Sequence, residues 1–236
     1  MDGVLKHVGI IVDGNGRWAK SQGKSRSEGH LAGSNNLEKL IIHISNTDLK
    51  YLSLYVFSNE NFKRDIKEVS YLMDLFVKMF KHVSKKYKDY NIKIIFSGRR
   101  DKLPINVLKE MDKLTRETKD NTGLVVNFCL NYSSHLEIID AIKKIQKDNL
   151  KIEELNEDIM NKYLYQDLPP IDLLIRTSGE QRLSNFMLWQ LYYAELFFTK
   201  TYFPDFTEKE YDSIIEDFYK RNRRFGGVWW KREQFL

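Results

Sequence analysis

The sequence predicts an α/β fold: a single domain, residues 1–236, on a central, mostly parallel six-stranded sheet flanked by helices. Three observations carry that expectation. Six short β-rich runs recur along the chain, and they are near-continuous in apolar residues, as a sheet covered on both faces requires. The longer stretches between them carry helical spacing, which makes βαβ units. No Pro/Gly-rich linker and no internal repeat divides the chain.

In order, the strands are expected at residues 7–13, 51–57, 92–97, 124–130, 172–177 and 195–199, the last being the weakest run. A helix is expected over residues 66–83, where Val69, Leu72, Met73, Phe76, Phe80 and Val83 recur three or four residues apart. Another follows the turn at Pro104 and covers residues 106–118. A third places Leu136, Ile139, Ile142 and Ile145 on one face, with Ser134 as its N-cap and Glu137 closing a capping box. The last helix is expected over residues 207–224, and Gly226 in the basic, aromatic tail RRFGGVWWKREQFL suits its stop.

Composition narrows the function classes. The chain has 236 residues, 42% of them hydrophobic and 30% charged, which argues for a soluble globular protein and against disorder. The net charge of +5 is spread along the chain with no dense basic block, so no nucleic-acid partner is expected. An anionic small ligand, such as a phosphate ester, suits that balance better. The single cysteine, Cys129, forms no internal disulfide or cysteine metal cluster and reads as a small buried residue. The N-terminus lacks the apolar core of a signal peptide, and no run is long enough to cross a bilayer; residues 186–198 are interrupted by Gln190 and Glu195. The cytosol is the expected compartment.

Ligands of such sheets sit beyond the carboxyl ends of the strands, which puts Asp13, Ser58, Ser97 and Arg176 near one rim. The turn IIVDGNGRWAK at residues 10–20 admits several readings. Gly14 to Ala19 satisfies G-x-G-x-x-A, and Glu38 lies at a suitable distance for a dinucleotide fold. However, Arg17 and Trp18 crowd the start of the helix, and Asp13 puts a negative charge where pyrophosphate would lie. Gly23-Lys24-Ser25 fails as a P-loop because Trp18 stands where the first glycine belongs. A diphosphate carried with Mg²⁺ explains the acid: magnesium takes one or two carboxylates plus substrate phosphates. Gly14 and Gly16 then bring backbone N–H groups to phosphate, and Arg17 adds a charged fork. Turn chemistry alone also explains Asp-Gly-Asn-Gly.

Two further polar clusters follow strands. Residues 57–64 hold Ser58, Asn59, Glu60, Asn61, Phe62 and Arg64; residues 176–186 hold Arg176, Arg182, Leu183 and Ser184. Together they place arginines, serines and an acid on the rim of Asp13, an anion site for more than one phosphate. Glu195 lies inside an aromatic run and needs a metal or an ion-pair partner; a salt-bridged edge residue is the other reading.

The segments HVGIIVDGNGRWAK, GKSRSEGHLAG, LYVFSNENFKR and LLIRTSGEQRLSNFMLWQLYYAELFFTKTYFPDF resemble the cis-prenyltransferase family, the undecaprenyl diphosphate synthases and their relatives. The resemblance spans about residues 7–227. It implies repeated condensation of isopentenyl diphosphate onto an allylic diphosphate, usually farnesyl diphosphate, with Mg²⁺ as cofactor and cis double bonds in the product. It implies Asp13 as the catalytic acid and Mg²⁺ ligand, with Glu195 as the second ligand. Gly14, Asn15, Gly16, Arg17, Trp18, Arg26 and His30 would form the allylic diphosphate pocket, although His30 also reads as a hydrogen bonder at the start of its helix. Ser58 and Asn61 would sit at the proton-abstraction step, with Asn59, Glu60, Phe62 and Arg64 binding substrate beside them. Arg176, Arg182, Leu183 and Ser184 would bind isopentenyl diphosphate. A homodimer is implied, and peripheral membrane association would come through the lipid product. Residues Leu72, Met73, Phe76, Met79 and Phe80 would line an apolar tunnel, or pack as ordinary core.

The chain departs from the family pattern at Phe62 (often Trp), Asp65 (often Pro), Ser178 (often Gly) and Gln181 (often His). These changes bear on the shape of the pocket and remove no phosphate or metal ligand. The tail Arg224–Gly227 resembles a family segment that reaches a partner subunit's site. Two rivals remain at this level: an inactive relative serving as a partner subunit, which tends to lose the acid and arginines of the first turn, and the dinucleotide oxidoreductase.

Overall fold

The computed structural model describes residues 4–223. The expectations for Gly226 and for Arg224–Gly227 lie outside the described residues. Six strands form one sheet in the order β3-β4-β2-β1-β5-β6, every pair parallel. They are β1 His7–Ile11, β2 Tyr51–Ser58, β3 Lys93–Ser97, β4 Val125–Tyr132, β5 Leu173–Arg176 and β6 Glu195–Phe198. Each expected run is a strand, and the sheet is wholly rather than mostly parallel.

The helices are α1 Asn15–Ser21, α2 Arg26–Ser45, α3 Ile66–Asp89, α4 Ile105–Thr118, α5 Ser134–Lys147, α6 Glu157–Tyr163 and α7 Glu208–Lys220. One face of the sheet carries the main core. There Val8, Ile10, Leu52, Leu54 and Phe128 meet Leu37, Ile41 and Ile44 of α2, Phe76 and Phe80 of α3, Met111 of α4 and Ile214 of α7. On the other face Ile11, Tyr55 and Tyr132 pack against residues from 168–191, chiefly Leu168, Ile171, Phe186 and Leu191. Gly9 permits that packing, since a Cβ there would stand 3.1–3.3 Å from Ile171, Phe186 and Leu174.

Two helices end as their side chains dictate. Ser25 and Glu28 form the capping box that starts α2, and Asp65 accepts from the N–H groups of Lys67 and Glu68 at the start of α3. α3 runs past Val83 to Asp89 because Tyr87 extends its buried stripe. α7 stops at Lys220, four residues before the expected end.

The start of α5 corrects the sequence reading. Ser133, not Ser134, is the N-cap, accepting from the N–H of Leu136. The Ser134 hydroxyl instead accepts from the N–H of Leu188. Glu137 closes no capping box: it is buried, with Tyr132 Oη donating to Oε2 and the N–H of Tyr165 to Oε1. The helix is also turned from the expected face. Ala141 and Ile145 are buried, while Ile139 and Ile142 are exposed. Apolar spacing finds a helix, but Glu137 buried on polar partners rotates which face turns inward.

His7, at the start of β1, is fully buried. Its Nδ1 lies 2.8 Å from the Pro169 carbonyl oxygen and its Nε2 2.8 Å from Ser53 Oγ. Burial pushes its pKa from 6.5 down to about 4, against the Pro169 bond and Asp172, which both raise it. Between those values the folded ring is neutral and the unfolded ring protonated, so unfolding takes up a proton. Stability supplied by His7 is complete above pH 6.5 and falls as the pH drops towards about 4, with a slope of at most about 1.4 kcal/mol per pH unit. Urea unfolding across that range, compared with His7→Gln, measures this; a variant with the wild-type slope would contradict it.

Candidate active site

The strand order sets the place of the site. From β1 the chain winds through β2 to the β3 edge, then returns to build β5 and β6 on the other side of β1. A crevice opens at such a reversal, beyond the carboxyl ends of the strands. Asp13 and Thr177 stand there, just past the ends of β1 and β5. A cavity of about 630 Å³ lies on this rim.

The structure brings most of the expected residues to that cavity. Asp13, Gly14, Asn15, Gly16, Arg17, Arg26, His30, Ser58, Glu60, Asn61, Arg64, Arg176, Arg182 and Ser184 all line it. Tyr55 and Asn185, to which the sequence assigned no role, join them, as does Leu72, expected to line an apolar tunnel or pack as core. Only Leu72 of the α3 apolar stripe reaches the cavity. Met73, Phe76, Met79 and Phe80 are buried in the main core, and Phe76 stacks on Phe80 with centroids 6.0 Å apart.

Asp13 is the junction of the charged network. Its Oδ2 accepts from Arg176 Nη2 at 2.9 Å, and its Oδ1 lies 3.1 Å from Arg17 Nη2. Burial works to raise this carboxyl, but Arg176 and Arg17 outweigh it and hold it below its ordinary value. It is therefore charged at neutral pH. Thr177 ties its backbone on both sides, its Oγ1 accepting from the N–H of Asp13 and donating to the Asp13 carbonyl. Arg176, whose side chain is 4% exposed, also donates to Ser184 Oγ at 2.7 Å and to the Arg182 carbonyl. Glu180 is a second carboxylate between Arg17, at 2.6 Å, and Arg182.

Glycines let the first turn sit close. Gly14 has φ 104, and a Cβ there would stand 2.8 Å from Tyr202 and 2.9 Å from Ser178. Gly29 and Gly33 form a glycine notch on α2. A Cβ at Gly29 would be 2.2 Å from the Asn15 carbonyl, and one at Gly33 2.3 Å from Asn15 Oδ1. The spacing of these glycines, four apart in SEGHLAG, was the available signal that another backbone lies against α2.

Glu68 organises the other side. Its Oε2 accepts from Arg26 Nε at 2.9 Å; its Oε1 accepts from Arg26 Nη2 at 2.9 Å and from Arg64 Nη1 at 3.1 Å, and lies 3.1 Å from His30 Nε2. Burial acts to raise the carboxyl, yet Arg26, His30 and Arg64 bring it down to about 2. Sequence reasoning missed Glu68 and Glu180 as organisers. The Arg64–Glu68 spacing of four residues was a signal for part of this, but Arg26 and His30 arrive only through the fold.

Several expected residues lie elsewhere. Trp18 turns from the cavity: its Nε1 donates to Asp205 Oδ1 at 2.8 Å and Lys24 lies over its ring. Asn59 donates to Asn131, Phe62 packs edge-on against Phe57, and Leu183 packs against the second core. Ser97, on the sheet-edge strand β3, donates to Asn127. Glu195 also stands apart from the cavity. It pairs in register with Leu173, which pairs with Val8, so it stands at the amino end of its strand. Asp13 lies five residues past that level, roughly 15 Å along the strand direction. Glu195 is salt-bridged to Arg221 at 2.7 Å, the edge-residue alternative. In a parallel sheet the first residue of β6 and the residues after β1 face opposite rims, so Glu195 and Asp13 of one chain lie well apart.

Among the described residues, no group of three or more His, Cys, Asp and Glu side chains forms a metal cage. The donor set fits a divalent ion that arrives on a phosphate and takes one carboxylate, Asp13, from the protein. Arg17 and Arg176 flank that carboxylate and Arg26 and Arg64 line the same cavity, so the arrangement can hold two phosphate-bearing groups and stabilise negative charge between them.

A family model described as "Putative undecaprenyl diphosphate synthase" matches residues 11–226. An isoprenyl transferase of Fusobacterium nucleatum is 48% identical over 225 residues, 95% of this chain and 97% of that protein. An isoprenyl transferase of Bacillus anthracis is 44% identical over 230 residues, 95% of this chain and 89% of that protein. Among solved structures, lavandulyl diphosphate synthase from Lavandula x intermedia, in complex with dimethylallyl diphosphate, aligns with TM-score 0.90 and 32% identity, covering 94% of this chain and 98% of its own. A structure described as "a probable undecaprenyl diphosphate synthase" from Campylobacter jejuni aligns with TM-score 0.81 and 30% identity, covering 94% and 99%.

The Glu68 cluster makes a direct prediction. Burial lowers the His30 pKa, and Glu68 opposes it. Glu68→Gln should therefore lower the His30 pKa further, with the ring staying neutral to lower pH. NMR titration of the imidazole resonances reads this; an unchanged or raised value would show that Glu68 does not act on His30.

Proposed function

The chain belongs to the undecaprenyl diphosphate synthase family of prenyltransferases, and on that premise we propose that it condenses isopentenyl diphosphate units onto an allylic diphosphate starter, farnesyl diphosphate being the expected one. Each addition would leave a cis double bond, giving a long-chain polyprenyl diphosphate such as undecaprenyl diphosphate. The observation that carries this reading is the pair of cationic sets around one cavity. Arg26, Arg64 and His30 converge on Glu68, Arg176 pairs with Asp13 and Arg182 with Glu180, and Arg17, assigned to the first set, bridges both of those carboxylates. Two diphosphates held head to tail require two such sets.

In this reading Gly14 to Arg17, with Arg26, His30 and Arg64, bind the allylic diphosphate. Arg176, Arg182 and Ser184 bind isopentenyl diphosphate. The allylic C–O bond breaks with its electron pair going to the leaving diphosphate, the new C–C bond forms, and a proton leaves the isopentenyl unit. The arginines stabilise charge building on the leaving group, already oriented before it develops. Asn61 holds its Oδ1 on the N–H of Ser58 at 3.1 Å. A neutral amide is a poor base, so Asn61 orients while a diphosphate oxygen or a water takes the proton. Asp13 would hold Mg²⁺, which when bound neutralises the diphosphate and eases its departure. A homodimer, a cytosolic site of action and peripheral membrane association through the lipid product complete the proposal. Among the described residues no helix is long and apolar enough to cross a membrane.

Labelled isopentenyl diphosphate should be incorporated into an extractable polyprenol product with farnesyl diphosphate and Mg²⁺, and chelation should stop it. No product under those conditions would sink the reading. Asp13→Ala should lower kcat/KM about 100-fold or more. It should also lower Tm, because the buried Arg176 loses its charge partner. Normal turnover in that variant would remove Asp13 from the chemistry. Arg182→Ala should chiefly raise the KM for isopentenyl diphosphate; an unchanged KM would make Arg182 structural.

A further inference from the structure

Asn185 lies in the cavity wall, and none of the roles above uses it. Ser184 and Asn185 are consecutive left-handed positions, with φ 50 and 62. Asparagine tolerates that region, but such positions persist only where their surroundings over-determine them. Four hydrogen bonds from Asn185 do so. Its Nδ2 donates to Ser133 Oγ at 2.7 Å and to Glu60 Oε1 at 3.2 Å. Its Oδ1 accepts from the N–H of His135 at 3.0 Å, and its carbonyl accepts from the N–H of Ser134 at 2.9 Å.

Ser134 and His135 are the first residues of α5, so their N–H groups have no partner within that helix. Asn185 supplies both partners from another part of the chain. The amide is used at both ends, as acceptor to His135 and as donor to Ser133 and Glu60, which a carboxylate cannot reproduce. Its neighbour Ser184 is the residue that meets Arg176 Nη1 at 2.7 Å, while the Ser184 carbonyl accepts from Tyr55 Oη at 3.2 Å. Glu60 belongs to the 3-10 turn Asn59–Lys63 that also carries Asn61. One side chain therefore ties the loop behind Arg176 to the start of α5 and to the turn across the cavity.

We propose that Asn185 is a positioning residue of the isopentenyl diphosphate half-site: it holds Ser184, and through it Arg176, in the binding geometry, and joins that half-site to the Glu60–Asn61 turn. The proposal rests on the assignment of Arg176 and Ser184 in the preceding section. Removing the amide leaves Arg176 charged and paired to Asp13, but frees Ser184 from its left-handed conformation. The loss falls on one substrate and spares the other.

Asn185→Gly tests this, because glycine keeps the left-handed backbone without strain and deletes only the amide. Steady-state kinetics should show the KM for isopentenyl diphosphate raised about tenfold, about 1.4 kcal/mol, the scale of one or two lost hydrogen bonds. The KM for farnesyl diphosphate should stay within about twofold on the same scale. A variant that loses Tm while both KM values stay at wild type would overturn the proposal, since a structural role alone does that. Calorimetric titration with inorganic pyrophosphate asks the same question without turnover. The variant should bind it about tenfold more weakly at one site, and unchanged binding would overturn the proposal. If wild-type protein makes no polyprenyl product yet the variant still binds pyrophosphate more weakly, the reaction assignment fails and the positioning role stands.

Discussion

The ion pair between Asp13 and Arg176 is the interaction on which the rim depends. It closes the crevice between β1 and β5 at the point where the sheet reverses its winding. A guanidinium with only 4% of its side chain exposed is costly to bury without a partner. Asp13 supplies the charge, and Ser184 Oγ and the Arg182 carbonyl accept the remaining protons it can reach. The backbone is secured in the same place by Thr177, which both accepts from and donates to Asp13. The loop of residues 177–187 is thereby tied to Arg176 at Arg182 and Ser184. The loop also carries left-handed positions at Ser178, Ser184, Asn185 and Met187, of the kind that persist only where the surroundings over-determine them.

The same logic extends across the cavity. Arginines intended for a polyanion would repel one another in its absence. Glu68 holds Arg26, Arg64 and His30, and Glu180 holds Arg17 and Arg182. These carboxylates keep the cations oriented with their charge balanced. An incoming diphosphate then meets a preorganised set, and its stronger charge and extra acceptor oxygens compete with the carboxylates for the same N–H groups. The glycine notch of α2 serves this arrangement by letting the Asn15 backbone lie close enough to share the site.

The tertiary packing also separates two roles that share one apolar stripe. Leu72 reaches the cavity, while Met73, Phe76, Met79 and Phe80 of α3 are packed in the main core. On the far rim, Glu195 meets Arg221, and Asp172 accepts from the N–H groups of Lys6 and His7 and from Arg223. That end of the sheet is held by these ion pairs and hydrogen bonds, and the cavity lies at the other.

Strand positions, the parallel sheet and most of the cavity lining were legible in the sequence, because they follow from local patterns. A buried strand is a short apolar run, Arg176 ends one, and Asp13, Asn61, Arg64 and Arg182 lie in the segments that follow such runs. What stayed hidden was every property that depends on which segment faces which. Glu195 is an acid in an aromatic run by sequence, and only the parallel register shows it at the other end of the sheet from Asp13. Ile139 and Ile142 have the spacing of a buried face, and only the burial of Glu137 turns them outward. Trp18 sits between two pocket residues in sequence, and its bond to Asp205 carries it away. Glu68, Glu180 and Asn185 look like ordinary polar residues until partners up to 163 positions distant converge on them. Local pattern determines what a segment is, through backbone preference and the side-chain repeat. The pairing of charges and buried polar groups is a long-range condition, satisfied only once the chain has closed on itself.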